Sequence, residues 1–124
     1  MIDDALTERI IGCAYAVDNG LGSGFLEKVY ENALLLELES SGLEVKRQLP
    51  LTVCYREQVV GEFFADLVVE GKVICELKAV ERLARCHEVQ LVNYLVATGM
   101  NVGLLINFGE RVTVRRKFRE YRKS

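Results

Sequence analysis

Proline is almost absent from this 124-residue chain, and no stretch is long and apolar enough to cross a membrane. The single proline, Pro50, and the lack of low-complexity tracts argue against a linker or a long tail. The N-terminal residues Met1 to Asp4 are acidic, unlike a secretory signal. With half of its residues hydrophobic and 27% charged, the chain is expected to form a single globular domain over residues 1–124, without a membrane partner.

The four cysteines include no CxxC pair, so the signal for a structural zinc site is weak. Cys13, Cys54 and Cys75 lie in apolar segments and are predicted to be buried free thiols, as a reducing cytoplasm allows. Cys86 precedes His87, the only histidine. Adjacent helical residues point about 100° apart, so a catalytic Cys86–His87 pair is disfavoured. The composition therefore predicts a cytoplasmic location and points away from thiol chemistry.

Charge is distributed unevenly along the chain. From Arg111 to Ser124 there are seven basic residues and one acid, a net charge of +6. Because the whole chain sums to −2, residues 1–110 carry −8. A basic C-terminal end, 111–124, can contact nucleic-acid phosphates, with Arg115, Arg116 and Lys117 as the candidates. A solvated, frayed terminus is equally compatible with this charge.

The stretch from Gly61 to Lys78 has the most informative pattern. Its apolar residues predict two strands, over residues 63–69 and 73–79, and Gly71 supplies the permissive backbone of a tight turn between them. Three charged residues lie within these strands: Asp66, Glu76 and Lys78. Glu76 and Lys78 are two residues apart, so they share one face of the sheet.

The register of this hairpin decides whether Asp66 joins the other two charged residues. If Val69 pairs with Val73, Asp66 lies opposite Glu76, whereas a slip of one residue turns Asp66 to the other face. Two carboxylates and an ammonium group are costly to bury without a partner. A divalent cation would satisfy the carboxylates.

The remaining elements follow from hydrophobic periodicity and from glycine stop signals. Helices are predicted over residues 3–19, 26–40 and 81–98, and further strands over 43–48, 51–55, 102–108 and 112–118. The two strands that flank Pro50 and the last strand are expected at sheet edges. The helix between Ala79 and Val102 predicts a crossover that makes its two flanking strands parallel.

Four short motifs carry a resemblance to known proteins. Gly24-Phe-Leu-Glu-Lys-Val-Tyr30, followed by Glu31-Asn-Ala-Leu34, resembles the motif that names the GxxExxY protein family. Phe64-Ala-Asp66, Glu76-Leu-Lys78 and Gln90-Leu-Val-Asn-Tyr94 resemble the signature of the PD-(D/E)XK nuclease superfamily, to which that family belongs. Ala65 stands where the name of the superfamily has proline, a position that tunes the backbone and ligates nothing.

This resemblance extends from about Leu6 to Phe108 and implies a fold. The expected fold is α/β (α+β), a restriction-endonuclease-like three-layer core in which helices flank a mixed sheet in the order ααβββαββ. Tyr30 is expected to lie in the core.

The resemblance also implies a divalent-metal-dependent nuclease that hydrolyses phosphodiester bonds in DNA or RNA. Asp66, Glu76 and the backbone carbonyl of Leu77 would bind Mg²⁺ or Mn²⁺. Glu27 would complete the acidic cluster directly or through a water. Lys78 would help to activate the attacking water and offset charge in the transition state.

Two residues on the third helix would act on the substrate. By the same resemblance, Gln90 and Tyr94 would position the substrate or the attacking water. In plainer alternatives, these two side chains bridge helix to sheet, Glu27 only complements its helix dipole, and Glu76 forms a salt bridge with Lys78.

Two other functions remain open on the same scaffold. The first is a catalytically silent module that binds nucleic acid, and the second is a protein-interaction module in which the polar cluster is structural. An edge strand and a small core are also compatible with a homodimer.

Overall fold

The computed structural model of the chain describes residues 4–119. These residues form three helices and five strands in the predicted order, ααβββαββ. The elements are α1 (Asp4–Leu21), α2 (Glu27–Ser40), β1 (Val45–Tyr55), β2 (Gln58–Val69), β3 (Val73–Lys78), α3 (Arg85–Thr98), β4 (Val102–Phe108) and β5 (Val112–Phe118).

The five strands form one mixed sheet in the order β1-β2-β3-β4-β5. Strands β3 and β4 are parallel, and every other neighbouring pair is antiparallel. Helix α3 is therefore the predicted crossover between two parallel strands. Strands β1 and β5 lie at the two edges, as expected from Pro50 and from the alternating pattern of the last strand.

Helices cover both faces of the sheet and complete three layers. On one face, α1 and α2 enclose a larger core that includes Ile10, Tyr30, Leu34, Leu67, Cys75, Leu104 and Phe108. On the other face, α3 packs Leu91 and Leu95 against Ile74 and Leu105. Every residue of β4 is buried, as expected of a continuous apolar strand that is covered on both sides. The predicted α+β three-layer architecture is confirmed.

The central hairpin has the register that brings the charged residues together. Val69 pairs with Val73, and the ladder continues to Leu67 and Cys75. Glu70 and Gly71 in the turn have positive φ angles of 54° and 63°. Glycine adopts this left-handed backbone without steric cost, which is why the chain reverses here.

The prediction of two strands hinged at Pro50 was wrong, because β1 runs without a break from Val45 to Tyr55. Pro50 has no N–H to donate, but an edge strand leaves one side of its backbone without a neighbour, so the ladder can pass through it. The β1–β2 ladder also extends far past the short ladder of β2 with β3. We call the projecting part, residues 51–63, the arm.

Two other expectations need correction. Cys54 is exposed rather than buried, because it lies on the arm, where an open groove separates β1 from α3. Helix α3 begins at Arg85 rather than residue 81, and its first turn is capped by the Nδ1 atom of His87, which accepts a hydrogen bond from the Ala84 N–H. The His87 side chain thus has a structural role. Cys13 and Cys75 are buried free thiols as predicted.

Candidate active site

Asp66 and Glu76 lie opposite each other where the β2–β3 ladder ends. The last ladder pair is Leu67 with Cys75, so these two carboxylates occupy the next opposing positions. Asp66 Oδ2 accepts a hydrogen bond of 2.8 Å from the Leu77 N–H, and Glu76 Oε1 accepts one of 3.2 Å from the Asp66 N–H. Each carboxylate is therefore held by a backbone N–H of the opposite strand, Asp66 by β3 and Glu76 by β2.

The neighbouring strand β1 has an unusual backbone at the same level. The flanking ladder pairs place Gln48 directly opposite Asp66. Gln48 has a φ of 51°, a left-handed conformation that is uncommon for a residue other than glycine. The side-chain alternation of β1 shifts by one residue here. Val45 packs on the α1–α2 side of the sheet, whereas Leu49 and Leu51, which regular alternation would place on that same side, pack on the α3 side. The arm thus turns toward α3 at the position of the site.

Burial raises the pKa of both carboxyl groups. Burial raises the pKa of Glu76 to about 8, and the charge of Asp66 adds to the effect. Burial also raises the pKa of Asp66, although its hydrogen bond from the Leu77 N–H opposes the shift. Glu76 is only 6% exposed. The structure therefore holds two acidic groups close together with little solvent around Glu76, an arrangement that favours a proton on Glu76.

Glu27 and Lys78 lie within electrostatic reach of this pair. Glu27 is the first residue of α2 and is exposed overall, yet partial desolvation of its carboxyl group raises its pKa. The Lys78 ammonium group opposes that shift, and the charge of Asp66 reinforces it. Lys78 also favours the ionised forms of Asp66 and Glu76. Three acids and one lysine from three elements thus share one electrostatic environment.

A buried tyrosine holds the segment that leads into α2. The Tyr30 hydroxyl donates a 2.7 Å hydrogen bond to the Gly22 carbonyl and accepts one from the Phe25 N–H. Its ring stacks on Phe108, with centroids 4.6 Å apart. Tyr30 is fully buried, as predicted for a core residue, and it fixes the approach of the chain to Glu27.

The two candidates on α3 have different positions. Tyr94 is buried, and burial followed by the charges of Glu76 and Asp66 raises the pKa of its hydroxyl. Tyr94 packs in one cluster with Ile74, and Glu76 is two residues further along β3, so Tyr94 and Glu76 lie on the same side of the sheet. Gln90 is exposed, one turn earlier, and lines an open groove beside the site together with Tyr94.

Sequence reasoning assigned no role to Glu31, which is buried and only 3% exposed. Its carboxylate accepts 2.9 Å hydrogen bonds from the side chains of Lys28, Arg47 and Gln48. The charge of Glu31 contributes to the raised pKa of Asp66. The sequence contains one indication that Glu31 is buried near Glu27. Glu31 is four residues after Glu27 and lies on the helix face that carries the apolar stripe.

Within residues 4–119, no group of three or more histidine, cysteine, aspartate or glutamate side chains is gathered closely enough to hold a metal ion. The carboxylate pair is thus a two-acid site, to which the backbone carbonyl of Leu77 is adjacent in sequence. Carboxylate oxygens suit hard divalent cations, and a cation would relieve the repulsion between Asp66 and Glu76. The donor chemistry of the pair fits Mg²⁺ or Mn²⁺.

The basic candidates on β5 are mostly engaged in ion pairs. Arg116 pairs with Asp4 at 3.5 Å, and Lys117 pairs with Glu88 at 3.1 Å. Arg115 instead lines a cavity of about 480 Å³ together with Arg82 and Arg111. The rest of the predicted basic end, residues 120–124, lies outside the described residues.

Residues 4–120 match the family described as the PD-(D/E)XK nuclease superfamily. The chain belongs to the PD-(D/E)XK nuclease superfamily. Nucleases of this superfamily generally use divalent metals and act on nucleic acid. None of the helices in residues 4–119 is both long and apolar enough to span a membrane.

The fold is also similar to the crystal structure of SSO0001. The TM-score is 0.61 at 14% sequence identity, over 77% of this chain and 50% of the other. At that identity the likeness supports the fold alone. This chain spans half the length of that protein. No curated protein matches the chain.

Proposed function

We propose that this protein is a divalent-metal-dependent nuclease of the GxxExxY family, which hydrolyses phosphodiester bonds in DNA or RNA. The observation that best supports the proposal is the opposed pair of the half-buried Asp66 and the buried Glu76, whose carboxyl groups have raised pKa values beside Lys78. Such a pair is unfavourable as a structural element, because each charge raises the cost of the other. Clustered groups with perturbed pKa values are typical of functional sites.

Asp66, Glu76 and the Leu77 carbonyl would hold the cation. Because all of these ligands are hard oxygen donors, the cation would be Mg²⁺ or Mn²⁺. When bound, the cation supplies Lewis-acid chemistry to the phosphodiester. The hydrogen bonds from the Leu77 and Asp66 N–H groups keep the two carboxylates oriented for this task. Backbone donors of this kind are rigid, so little reorganisation is needed when the site is used.

Lys78 and Glu27 would act on the attacking water and on the phosphate. The Lys78 ammonium group shares the face of Glu76 and would donate to a phosphate oxygen, offsetting the negative charge that grows in the transition state. The raised pKa of Glu27 makes its carboxylate a better hydrogen-bond acceptor and base for water. Tyr94, which lies on the same side of the sheet as Glu76, would donate its hydroxyl to the phosphate or to the water.

Substrate phosphates further from the reacting bond would lie on the basic side of the sheet. Arg82, Arg111 and Arg115 line one cavity around Asn107, the residue that pairs with Lys78 across β3 and β4, and outnumber the two acids there, Glu81 and Glu110. Arg116 and Lys117 already contact Asp4 and Glu88, so Arg115 is the stronger phosphate contact of the three β5 candidates.

A catalytically silent nucleic-acid-binding module is the second candidate. It is favoured by the finding that residues 4–119 gather no group of three metal-ligating side chains. In this alternative Asp66 and Glu76 bind a cation weakly, if at all, and the groove and the arginines still contact nucleic acid.

We place the protein in the cytoplasm. All four cysteines are free, and Cys54 and Cys86 are exposed. Exposed thiols persist in a reducing compartment, whereas an oxidising one favours disulfides.

The first test is Mn²⁺ and Mg²⁺ binding by titration calorimetry on the parent protein and on Asp66→Asn and Glu76→Gln. Glu62→Gln is the matched control, because Glu62 is an exposed acid on the same strand as Asp66. We expect binding in the parent and the control and none in the other two, with folding of all four verified by circular dichroism. No binding at millimolar metal, with or without nucleic acid, would contradict the enzyme.

Turnover separates the two candidates. Hydrolysis of single-stranded and duplex DNA and RNA is compared between the parent and Lys78→Met. Loss of a positioned charge at the reacting phosphate is expected to lower kcat by about 100-fold or more while metal binding remains. Metal and nucleic-acid binding without any hydrolysis would favour the silent module.

A further inference from the structure

An open groove of about 1070 Å³ runs between the arm and helix α3. One wall is formed by Thr52, Val53 and Phe63 of the arm, and the other by the face of α3 from Arg85 to Ala97. Its volume is at the upper end of the range for sites that take a drug-sized molecule. The groove was not predictable from the sequence, because its two walls come from distant parts of the chain.

The groove reaches the candidate active site at Tyr94. The rings of Tyr94 and Phe63 are neighbours across the groove, with centroids 5.7 Å apart and planes inclined by 44°. Tyr94 packs in one cluster with Ile74 of β3, and Glu76, two residues further along that strand, lies on the same face of the sheet. A nucleic-acid strand whose phosphate lies at the carboxylate pair must continue away from it, and the groove lies beside that point.

The lining has an unusual charge for this protein. None of its twelve residues is acidic, and one, Arg85, is basic. Residues 1–110 as a whole carry −8, so most of the surface repels a polyanion. The groove is a place where a strand of nucleic acid can approach the site without facing carboxylates.

The lining also has the chemistry that recognises a base. Phe63 is 41% exposed, and its ring, which contacts the buried ring of Tyr94, offers aromatic surface on which a base can stack. Gln90 supplies an amide that can pair with a base edge, and Arg85 can contact a phosphate or a base. A purely apolar occupant would leave Gln90 and Arg85 against nonpolar atoms.

We propose that the groove binds an unpaired nucleobase adjacent to the phosphodiester at Asp66 and Glu76, so that the substrate is single-stranded nucleic acid or an unpaired end. The identification of this strand as a substrate rests on the proposed nuclease function. A base within a duplex is stacked on both faces and paired at its edge, so it must leave the helix before it can stack on Phe63. The groove therefore selects strands whose bases are already unpaired.

The test measures fluorescence anisotropy of a labelled single strand and of the matching duplex, with the parent, Phe63→Ala and Phe64→Ala. Phe64 is the matched control: it is the next residue of β2, is 57% exposed, and does not line the groove. Because base–aromatic stacking contributes substantially per base, we expect Phe63→Ala to weaken single-strand binding about tenfold. Phe64→Ala should change it less than about twofold, and duplex binding should be weaker in all three.

A second measurement reports stacking directly. A single strand that contains 2-aminopurine should lose fluorescence on binding to the parent and to Phe63→Trp, and keep it with Phe63→Ala. The proposal would be overturned if the parent and Phe63→Ala bound the single strand with equal affinity. It would also be overturned if Phe63→Ala and Phe64→Ala weakened binding equally, or if the protein preferred the duplex. So would a stable dimer in light scattering that Phe63→Ala separates, since a second copy would then fill the groove.

Failure of the groove and failure of the nuclease are distinguishable. Single-strand binding that depends on Phe63, without hydrolysis in Mg²⁺ or Mn²⁺, supports the groove and removes the enzyme. Hydrolysis that is equally fast in the parent and in Phe63→Ala, on single strands and duplexes alike, supports the enzyme and overturns the groove.

Discussion

The side-chain amide of Gln48 donates a 2.9 Å hydrogen bond to Glu31 Oε1, and this contact joins β1 to α2 at the position opposite Asp66. Arg47, the preceding residue, reaches Glu31 Oε2 and Asn32 on the same helix. A left-handed φ costs a non-glycine residue free energy, and these contacts oppose that cost at Gln48. Helix α2, which begins with Glu27, is thereby set against the strand next to Asp66.

We expect Glu31→Gln to lower the free energy of unfolding by about 2 kcal/mol. The buried carboxylate accepts three hydrogen bonds, two of them from charged groups, and a glutamine offers only one acceptor oxygen. Urea unfolding at neutral pH measures the change. Lys28→Ala is the control, because it removes the exposed partner of the ion pair with Glu31. This variant should lower the free energy of unfolding by less than about 1 kcal/mol. Equal losses in the two variants would show that Glu31 has no special role.

The metal-free protein should lose stability as the pH rises from about 5 to about 8. Burial, then repulsion by Asp66, raises the pKa of Glu76 from 4.5 to about 8, so the folded state holds this proton more tightly than the unfolded chain. That contribution is complete below the unfolded value and is lost as the pH passes through the folded one. The raised pKa of Asp66 acts in the same direction.

Glu76→Gln tests this dependence, because glutamine does not titrate. In the presence of a chelator, its urea midpoint should fall less with pH than that of the parent, and at about pH 8 the variant should be the more stable protein. Glu62→Gln, an exposed acid on β2, should keep the slope of the parent. If the urea midpoints of the parent and Glu76→Gln depended on pH in the same way, folding would not raise the pKa of Glu76.

Much of the fold was predictable because its signals are local. The alternation of Asp66, Glu76 and Lys78 with apolar residues marks two strands, and Gly71 marks the turn between them. The choice between two registers was not local, since both keep the same residues in the strands. The structure has the register with Val69 opposite Val73, whose turn is compatible with the left-handed backbone of Glu70 and Gly71.

Contacts between distant segments were not predictable. Glu31 is buried because Arg47 and Gln48, which lie on another element, supply its donors. Cys54 has apolar neighbours in sequence, yet on the arm an open groove separates it from α3. The alternation pattern describes which residues share a face, but not how far a hairpin projects or which helix packs beside it.

Asn107 holds the segment between Lys78 and α3, and Asn107→Ala should lower the free energy of unfolding by about 2 kcal/mol. Its buried amide accepts a 3.0 Å hydrogen bond from the Val80 N–H and donates one of 2.9 Å to the Val80 carbonyl. Alanine would leave both backbone groups without these partners. Thermal unfolding compares it with Thr113→Ala, an exposed residue paired with Asn107 on β5. The Thr113 variant should stay within about 0.5 kcal/mol of the parent, and a similar value for Asn107→Ala would refute this role.

Gly103 allows α3 to approach the sheet, and Gly103→Ala should therefore destabilise the protein by about 2 kcal/mol. A Cβ atom at Gly103 would lie 2.8 Å from Leu91 Cδ1 and 3.2 Å from the Ile74 carbonyl oxygen. Leu91 is fully buried, so its side chain cannot move aside without shifting α3. Tyr94 is one turn further along that helix, and its contact with Phe63 should loosen as well.

Gly12→Ala is the same type of substitution as Gly103→Ala, but it is expected to stabilise the protein. Gly12 lies within α1, is exposed, and would place its Cβ with nothing within 4 Å. Because glycine in a helix interior is less favourable than alanine, this variant should gain about 0.5–1 kcal/mol. Urea unfolding of both variants gives the comparison. If Gly103→Ala also gained stability, the approach of α3 would not be limited by Leu91, and the position of Tyr94 at the site would have to depend on other contacts.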